Sequence, residues 1–299
     1  MTLRHINIFI AVVDEGGMSA AAKKLHISQP SISQAISELE KYYGVKLFER
    51  LSQKLYITRE GELMLSYSRH IMDSFKQMEE SMKLTAEKSL LRIGCSVTVG
   101  TCLINDILDQ AKEKMPTLSF QVLVSNSTDI ERAILCNEVD LGIVEGIIKS
   151  KDLLITPICQ DELVLVCGSC HPLAKEKTVT FDQLDGQDFV CRESGSSERN
   201  QLEKLLEEKG VHFVRTFCST NTEAIKNAVI YGRGIAVLSK RMVEKEVENG
   251  KIIILPIEGT EVTRNINLVI HKNKYISKGL KIVQDITQNS FGLIHKGRV

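Results

Sequence analysis

The chain has 299 residues, with 38 Lys and Arg against 38 Asp and Glu, and 43% of it is hydrophobic. That length fits two or three domains, and that composition excludes a disordered or fibrous chain. Zero net charge argues against an undivided basic nucleic-acid binder, and 5% aromatics with no Trp disfavour single-strand binding on stacked rings.

Residues 1–58 form one compositional unit. Ile6, Phe9, Ile10 and Val13 recur at helical spacing and predict a first helix, ended by Gly16-Gly17. Ser19 can cap a second, Ala-rich helix over 20–25. His26-Ile27 is a tight connection, and Ser28 can cap a third helix with Pro30 in its first turn. That helix places Ile32, Ala35, Ile36, Leu39 and Tyr43 on one stripe and stops at Gly44. Residues 45–50 and 54–57 read as two short strands around a turn. Three helices followed by a β-ribbon predict a winged helix-turn-helix, with a small helical interaction module as the alternative.

The outer side of the third helix favours DNA. Pro30, Ser33, Gln34, Ser37 and Lys41 face away from the apolar stripe, and short hydrogen-bonding groups suit base edges and phosphates. The candidate DNA-contacting set is Ser28, Gln29, Pro30, Ser31, Ser33, Gln34, Ser37 and Lys41, with Arg50 and Lys54 on the ribbon.

Residues 59–88 predict one long helix capped by Thr58. Leu63, Tyr67, Ile71, Phe75, Met78 and Met82 recur at spacings of three and four, as a dimerisation linker would have them. The alternative is a helix folded back on its own domain. From residue 90 strands and helices alternate: strands over 91–96, 120–124, 140–144, 162–167, 189–192, 213–218, 235–238, 251–257 and 267–271, and helices running to Lys114, from Ser127 or Thr128 to Asn137, and over 196–209, 222–231 and 278–290. That alternation predicts an α/β fold with a mainly parallel sheet.

Across its whole length the chain resembles the LysR-type transcriptional regulators. The resemblance is carried by Ser19-Ala20-Ala21-Ala22-Lys23-Lys24-Leu25-His26-Ile27-Ser28-Gln29-Pro30-Ser31-Ile32-Ser33, by Gly44 to Arg50 and by Thr58-Arg59-Glu60-Gly61. In the second half it is carried by Asp140 to Ile143, Asp161 to Val166, His171-Pro172-Leu173 and Gly232 to Ala236. It implies a winged helix-turn-helix over 1–58, a linker helix over 59–88 and an effector-binding domain over 89–299. The last would consist of two Rossmann-like α/β subdomains, 89–161 with 267–299 and 162–266, around a ligand cleft. A basic residue is frequent in the family where Gln34 and Ser37 stand. Where many members read Gly-Ser-Gly-Thr-Arg, this chain reads Gly195-Ser196-Ser197-Glu198-Arg199, which removes a hydroxyl and adds a negative charge.

Ligands of open α/β sheets bind beyond strand C-termini near helix N-termini, where amides and helix dipoles favour anions. Four hydroxyl-rich loops fit: 96–101, 126–128, 193–197 and 219–222. The candidate effector contacts are Ser96, Thr98, Val99, Thr101, Ser127, Thr128, Ser194, Ser196, Asn221 and Thr222, each hydroxyl or amide also being an ordinary helix cap. Ser96 and Thr98 match effector-contacting positions of family members whose inducers are small acids.

No catalytic or metal-binding motif stands out. Cys167-Gly168-Ser169-Cys170-His171 fits the haem-attachment pattern but reads as a chance match at a strand end. The other cysteines read as small buried hydrophobes, with Cys191 and Cys218 the candidates for a redox pair. The N-terminal segment has no basic region followed by a long apolar run, so a secretory signal is not expected and the cytoplasm is. The expected partners are double-stranded promoter DNA, a small anionic effector, a second copy in a homodimer or homotetramer, and RNA polymerase. No membrane, cofactor or enzymatic activity is expected. The rival reading is a solute-binding or enzymatic α/β protein whose N-terminal helices only oligomerise it. Residues 1–58 carry seven basic against five acidic residues, a net of +2. So mild a charge predicts that tight DNA binding needs two modules on one site.

Overall fold

The computed structural model describes residues 1–51, 54–82 and 89–291. They fall into two compact units. The first carries α1 (Leu3–Asp14), α2 (Met18–Leu25), α3 (Gln29–Tyr43), β1 (Phe48–Leu51), β2 (Lys54–Ile57) and α4 (Arg59–Met82), with the short segments Leu135–Glu138 and Asn273–Tyr275.

The amphipathic stripes of α1–α3 close on one core of Phe9, Val12, Ala21, Ile32, Ile36 and Leu39. Phe48 of the ribbon joins it, its ring centroid 5.5 Å from that of Phe9. α2 begins two residues earlier than its sequence suggests. Ala21 N–H already bonds Gly17 O at 3.0 Å, so Ser19 lies inside the helix and caps nothing. His26 takes the left-handed conformation at φ 54°, and Ser28 Oγ accepts from Ser31 N–H to start α3. β1 and β2 pair antiparallel, Phe48 opposite Ile57. Thr58 Oγ1 accepts from Gly61 N–H at 3.0 Å and donates to Lys46 O at 2.6 Å, joining the ribbon to α4. Leu63, Tyr67, Ile71 and Met78 are exposed along α4, while residues 83–88 of the expected helix lie outside the described residues.

The second unit runs β3 (Leu90–Cys95), α5 (Val97–Cys102), α6 (Ile104–Lys114), β4 (Ser119–Val124), α7 (Ser127–Leu135), β5 (Leu141–Glu145) and β6 (Leu153–Gly168). After a 3-10 turn at Pro172–Lys175 come α8 (Phe181–Leu184), β7 (Asp188–Arg192), α9 (Ser197–Glu208), β8 (Val214–Ser219), α10 (Thr222–Ile230) and β9 (Ala236–Ser239). α11 (Lys240–Glu248), β10 (Ile252–Leu255), β11 (Val262–His271) and α12 (Lys278–Phe291) complete it.

The larger sheet has the order β10-β6-β11-β5-β3-β4, with β9 also on β6. β6 and β11 are paired from Leu163 opposite Val262 to Leu153 opposite His271. The first part of β6 lies in a core with Ile93, Leu141, Ile143 and Leu268, and the second in cores with Phe189, Val190, Ile225 and Leu238. The chain therefore passes twice between two α/β halves without leaving strand. This corrects the mainly parallel expectation. β3 is parallel to β4 and β5, and β7 to β8, but the ladders made by β6 and β11 are antiparallel because one strand runs out as the other returns. The helix expected to reach Lys114 is two, broken at Leu103 where ψ is −31° and φ −129°.

Candidate functional site

In the first unit the outer face of α3 is presented as expected. Pro30, Gln34, Ser37 and Lys41 are exposed, Ser31 and Ser33 half-buried. Ser28 is committed to capping, its Oγ 2.8 Å from Ser31 Oγ. Gln34 Nε2 donates to Glu38 Oε1 at 2.8 Å, and Glu38 Oε2 pairs with His5 Nε2 at 2.9 Å. Bonds from His5 and Gln34 hold the Glu38 carboxyl below the usual range. One N–H of the Gln34 amide is thus engaged, and its other N–H and its carbonyl oxygen are left without a bond to the described residues. A groove beside the N-terminus of α3 is lined by Ser19, Gln29, Arg50 and Tyr56. Among the described residues no carboxylate pairs with Arg50 or Lys41, so both cations are available to phosphate. Ser19 and Tyr56 are not in the DNA-contacting set expected from sequence. Lys54 begins β2, and its side chain is outside the described set.

In the second unit, the ends of β3, β5 and β7 and the starts of α5, α7 and α9 surround a half-open polar pocket with a free volume of about 10 Å³, room for little more than a water. Four expected residues line it: Ser96, Thr98, Ser127 and Ser196. Thr222 is buried behind it, its Oγ1 accepting from Arg192 Nη1 at 3.2 Å. The others are used elsewhere. Val99 is fully buried in the hydrophobic core. Thr101 Oγ1 donates to Val97 O, and Thr128 Oγ1 donates to Gly195 O at 3.2 Å. Asn221 Oδ1 caps α10 by accepting from Glu223 and Ala224 N–H. Ser194 is exposed. The cap of α7 is Asn126, whose Oδ1 accepts from Asp129 N–H at 2.9 Å, not Ser127 or Thr128.

The charged heart of the cavity was only partly visible in the sequence. Arg192, at the end of β7, is 4% exposed; its Nε and Nη2 pair with Glu193 and its Nη1 reaches Glu198 Oε2 at 3.2 Å. Arg264, inside β11, is also 4% exposed and pairs with Asp161 through Nη2 at 2.8 Å. The same Nη2 bonds Thr98 Oγ1 at 3.1 Å and Glu198 Oε1 at 3.3 Å. Ser239 Oγ donates to the far oxygen of Asp161 at 2.7 Å. Glu145 Oε1, Ser96 Oγ and Ser197 Oγ are buried without a hydrogen-bond partner in the structure. Buried polar atoms are usually paired, so three orphans around one pocket make it the candidate ligand site of this unit. Glu145, Asp161, Arg192 and Arg264 escaped the sequence analysis because a charged residue at a strand end or inside a strand gives no spacing signal.

Residues 3–62 match the family described as bacterial regulatory helix-turn-helix protein, lysR family, and residues 85–291 match the LysR substrate binding domain. The chain belongs to the LysR family of bacterial transcriptional regulators. It is 29% identical over 281 residues to the uncharacterized HTH-type transcriptional regulator YeiE of Escherichia coli, covering 94% of this chain and 95% of that one. Its fold matches a full-length OxyR variant from Pseudomonas aeruginosa with a TM-score of 0.71 at 19% identity, covering 97% and 95% of the two chains. The regulatory domain of Synechocystis CcmR in complex with 2-PG matches with a TM-score of 0.63 at 26% identity, covering 68% of this chain and 97% of that one. As a LysR regulator the chain is a DNA-binding, ligand-responsive transcription factor.

The cysteines play no part in either site. All eight are free thiols. Cys191 and Cys218 are in register on β7 and β8, but burial pushes the Cys191 thiol up to about 11, far from a reactive thiolate. In the Cys167–His171 stretch, Cys167 is buried and His171 Nδ1 accepts from Leu173 N–H to cap the 3-10 turn.

Proposed function

We propose that this LysR regulator reads promoter DNA through Gln29, Ser33, Gln34 and Ser37 of α3, anchored on phosphates by Lys41, Arg50 and Lys54, and that a small anion entering the cavity between the two α/β halves switches it. The observation that carries the reading is the pairing of one outward, uncharged hydrogen-bonding helix face with a buried two-arginine cavity in the same chain. The exposed row Leu63, Tyr67, Ile71 and Met78 on α4 supports joining two copies there, and a dimer supplies the second DNA module that a mild charge calls for. Tetramer formation, contact with RNA polymerase and a cytoplasmic location belong to the same reading. Among the described residues no helix is long and apolar enough to cross a membrane.

The experiment is binding of the full chain to a duplex from its own promoter region, followed against salt. Phosphate contacts predict that affinity falls linearly on a log–log scale, while a scrambled duplex binds weakly throughout. A thermal-shift screen of small acids on the same protein then reads the cavity, since a ligand bound to the folded state raises Tm by mass action.

A further inference from the structure

Taking the cavity as the effector site, its residues say what already occupies the place of an anion. Arg192 and Arg264 reach it from different strands, and each is fixed from behind by its own carboxylate, Glu193 and Asp161. Arg192 Nη1, which also reaches Thr222, and Arg264 Nη2, which it shares with Asp161 and Thr98, converge on Glu198, which is 3% exposed and accepts from both: Oε2 from Arg192 Nη1 at 3.2 Å, Oε1 from Arg264 Nη2 at 3.3 Å. Ser196 Oγ lies 3.5 Å from Oε2. Two guanidinium groups and a hydroxyl closing on one carboxylate is an oxyanion cradle. Because the arginines keep their rear partners, the cradle would hold its shape if Glu198 left.

Two further facts set Glu198 apart from Asp161 and Glu193. Burial outweighs both arginines and pushes its carboxyl up, so its ionised form is held at a cost. It also sits in the first turn of α9, whose start lines the pocket. Gly146 stands at φ +87° against Ser197, where a Cβ would lie 2.3 Å from Ser197 Oγ, and Thr128 Oγ1 bonds Gly195 O. Moving Glu198 out would therefore disturb the contacts that seat the start of α9 beside the pocket. The unpartnered Ser96 Oγ, Ser197 Oγ and Glu145 Oε1 lie around the same space, ready for a hydroxyl on a ligand larger than a carboxylate group.

We propose that Glu198 is a resident occupant of the effector's anion cradle, and that the effector is a small carboxylate, most simply a hydroxy acid, that takes its place on Arg192 and Arg264. One anion enters as another leaves, so the exchange strands no buried charge. A resident competitor weakens the apparent affinity by the fraction of time that the cradle is free, so the ligand must bring more contacts than a bare carboxylate does.

The test uses the full chain and its Glu198→Ala and Glu198→Thr variants, titrated with sodium acetate and sodium glycolate against sodium chloride, with Tm as readout. Both acids are expected to stabilise the variants and to bind them about tenfold or more tightly than the unaltered protein. Glycolate should exceed acetate, and adding Arg264→Gln should remove the response. Should either variant not fold, Glu198→Gln keeps the side-chain shape and carries the same expectation. Acids that act no differently from chloride on folded variants, or that stabilise all forms equally, overturn the proposal. Operator binding by the same proteins separates the two readings. Variants that bind operator but ignore both acids sink the cradle alone, whereas acid binding without any duplex binding sinks the regulator reading and leaves the cradle.

Discussion

Arg264 and Glu198 meet inside the second unit at 3.3 Å, one from near the start of β11 and the other from the first turn of α9. Arg264 also holds Asp161 of β6 and Thr98 of α5, so a single guanidinium gathers four elements. Removing it would leave three buried carboxylates, Glu145, Asp161 and Glu198, without their main counter-charge. Arg264→Ala is expected to lower the unfolding free energy by about 3–5 kcal/mol, the usual cost of breaking a buried pair. Urea denaturation measures it, and a loss below about 1 kcal/mol, the level of an exposed pair, would contradict the arrangement.

Glu198 also gives the protein a pH signature. Its folded carboxyl titrates above the ordinary value of about 4.3, so the folded state takes up its proton before the unfolded state does. The resulting stabilisation is fully present below the ordinary value and is lost as pH rises through the raised one. The Tm of the protein minus that of Glu198→Gln should therefore fall with rising pH across this window. A difference that is flat or rises there runs against the assigned direction.

On the DNA face, Gln34 and Arg50 have separable tasks. With one N–H on Glu38, Gln34 keeps its other N–H and its carbonyl oxygen, a donor and an acceptor that suit N7 and N6 of adenine. Gln34→Ala is expected to cost about 1–3 kcal/mol on the operator and little on a scrambled duplex. Arg50→Ala should weaken all duplexes alike and reduce the salt slope by about one. Equal, sequence-independent effects of both substitutions would remove Gln34 from base readout.

The ribbon is seated by a glycine. A Cβ at Gly61 would lie 2.4 Å from Leu47 O, a backbone atom that cannot yield without moving the ribbon. Gly61→Ala is expected to destabilise the first unit by about 1–3 kcal/mol and to weaken DNA binding, although Gly61 is not among the proposed contacts. Tm and operator affinity falling together would bear this out, and an unchanged Tm would refute it.

The legible part of this protein is the part governed by period and punctuation. The stripe of α3 from Ile32 to Leu39, the Ser28 cap and the Gly44 stop are local, and each is present, whereas Tyr43, expected to be buried at the end of that stripe, is exposed. The left-handed turn at His26 and the Thr58 cap follow the same logic. Ser19 misled because a serine before an Ala run reads as a cap, whereas Gly17 carried the first helical carbonyl. Strand direction was not legible, because it depends on where β6 and β11 cross, and crossing is not a local property. The cleft was half legible. Its hydroxyls announced themselves by preceding helices, but Glu145, Asp161, Arg192 and Arg264 acquire meaning only when strands far apart in sequence end at one place. Glu198 stood between, visible as a departure from the family's pattern before its partners could be named.

The central claim is that one chain couples operator recognition by α3 to anion occupancy of the Arg192–Arg264 cradle. Fluorescence anisotropy of the full chain on a promoter duplex, with salt and glycolate varied independently, tests it most directly. The account predicts tight binding that falls steeply with salt, and a glycolate-dependent change in affinity at fixed ionic strength that Arg264→Gln abolishes. No binding to any duplex at low salt, by protein whose Tm still rises with glycolate, would contradict it.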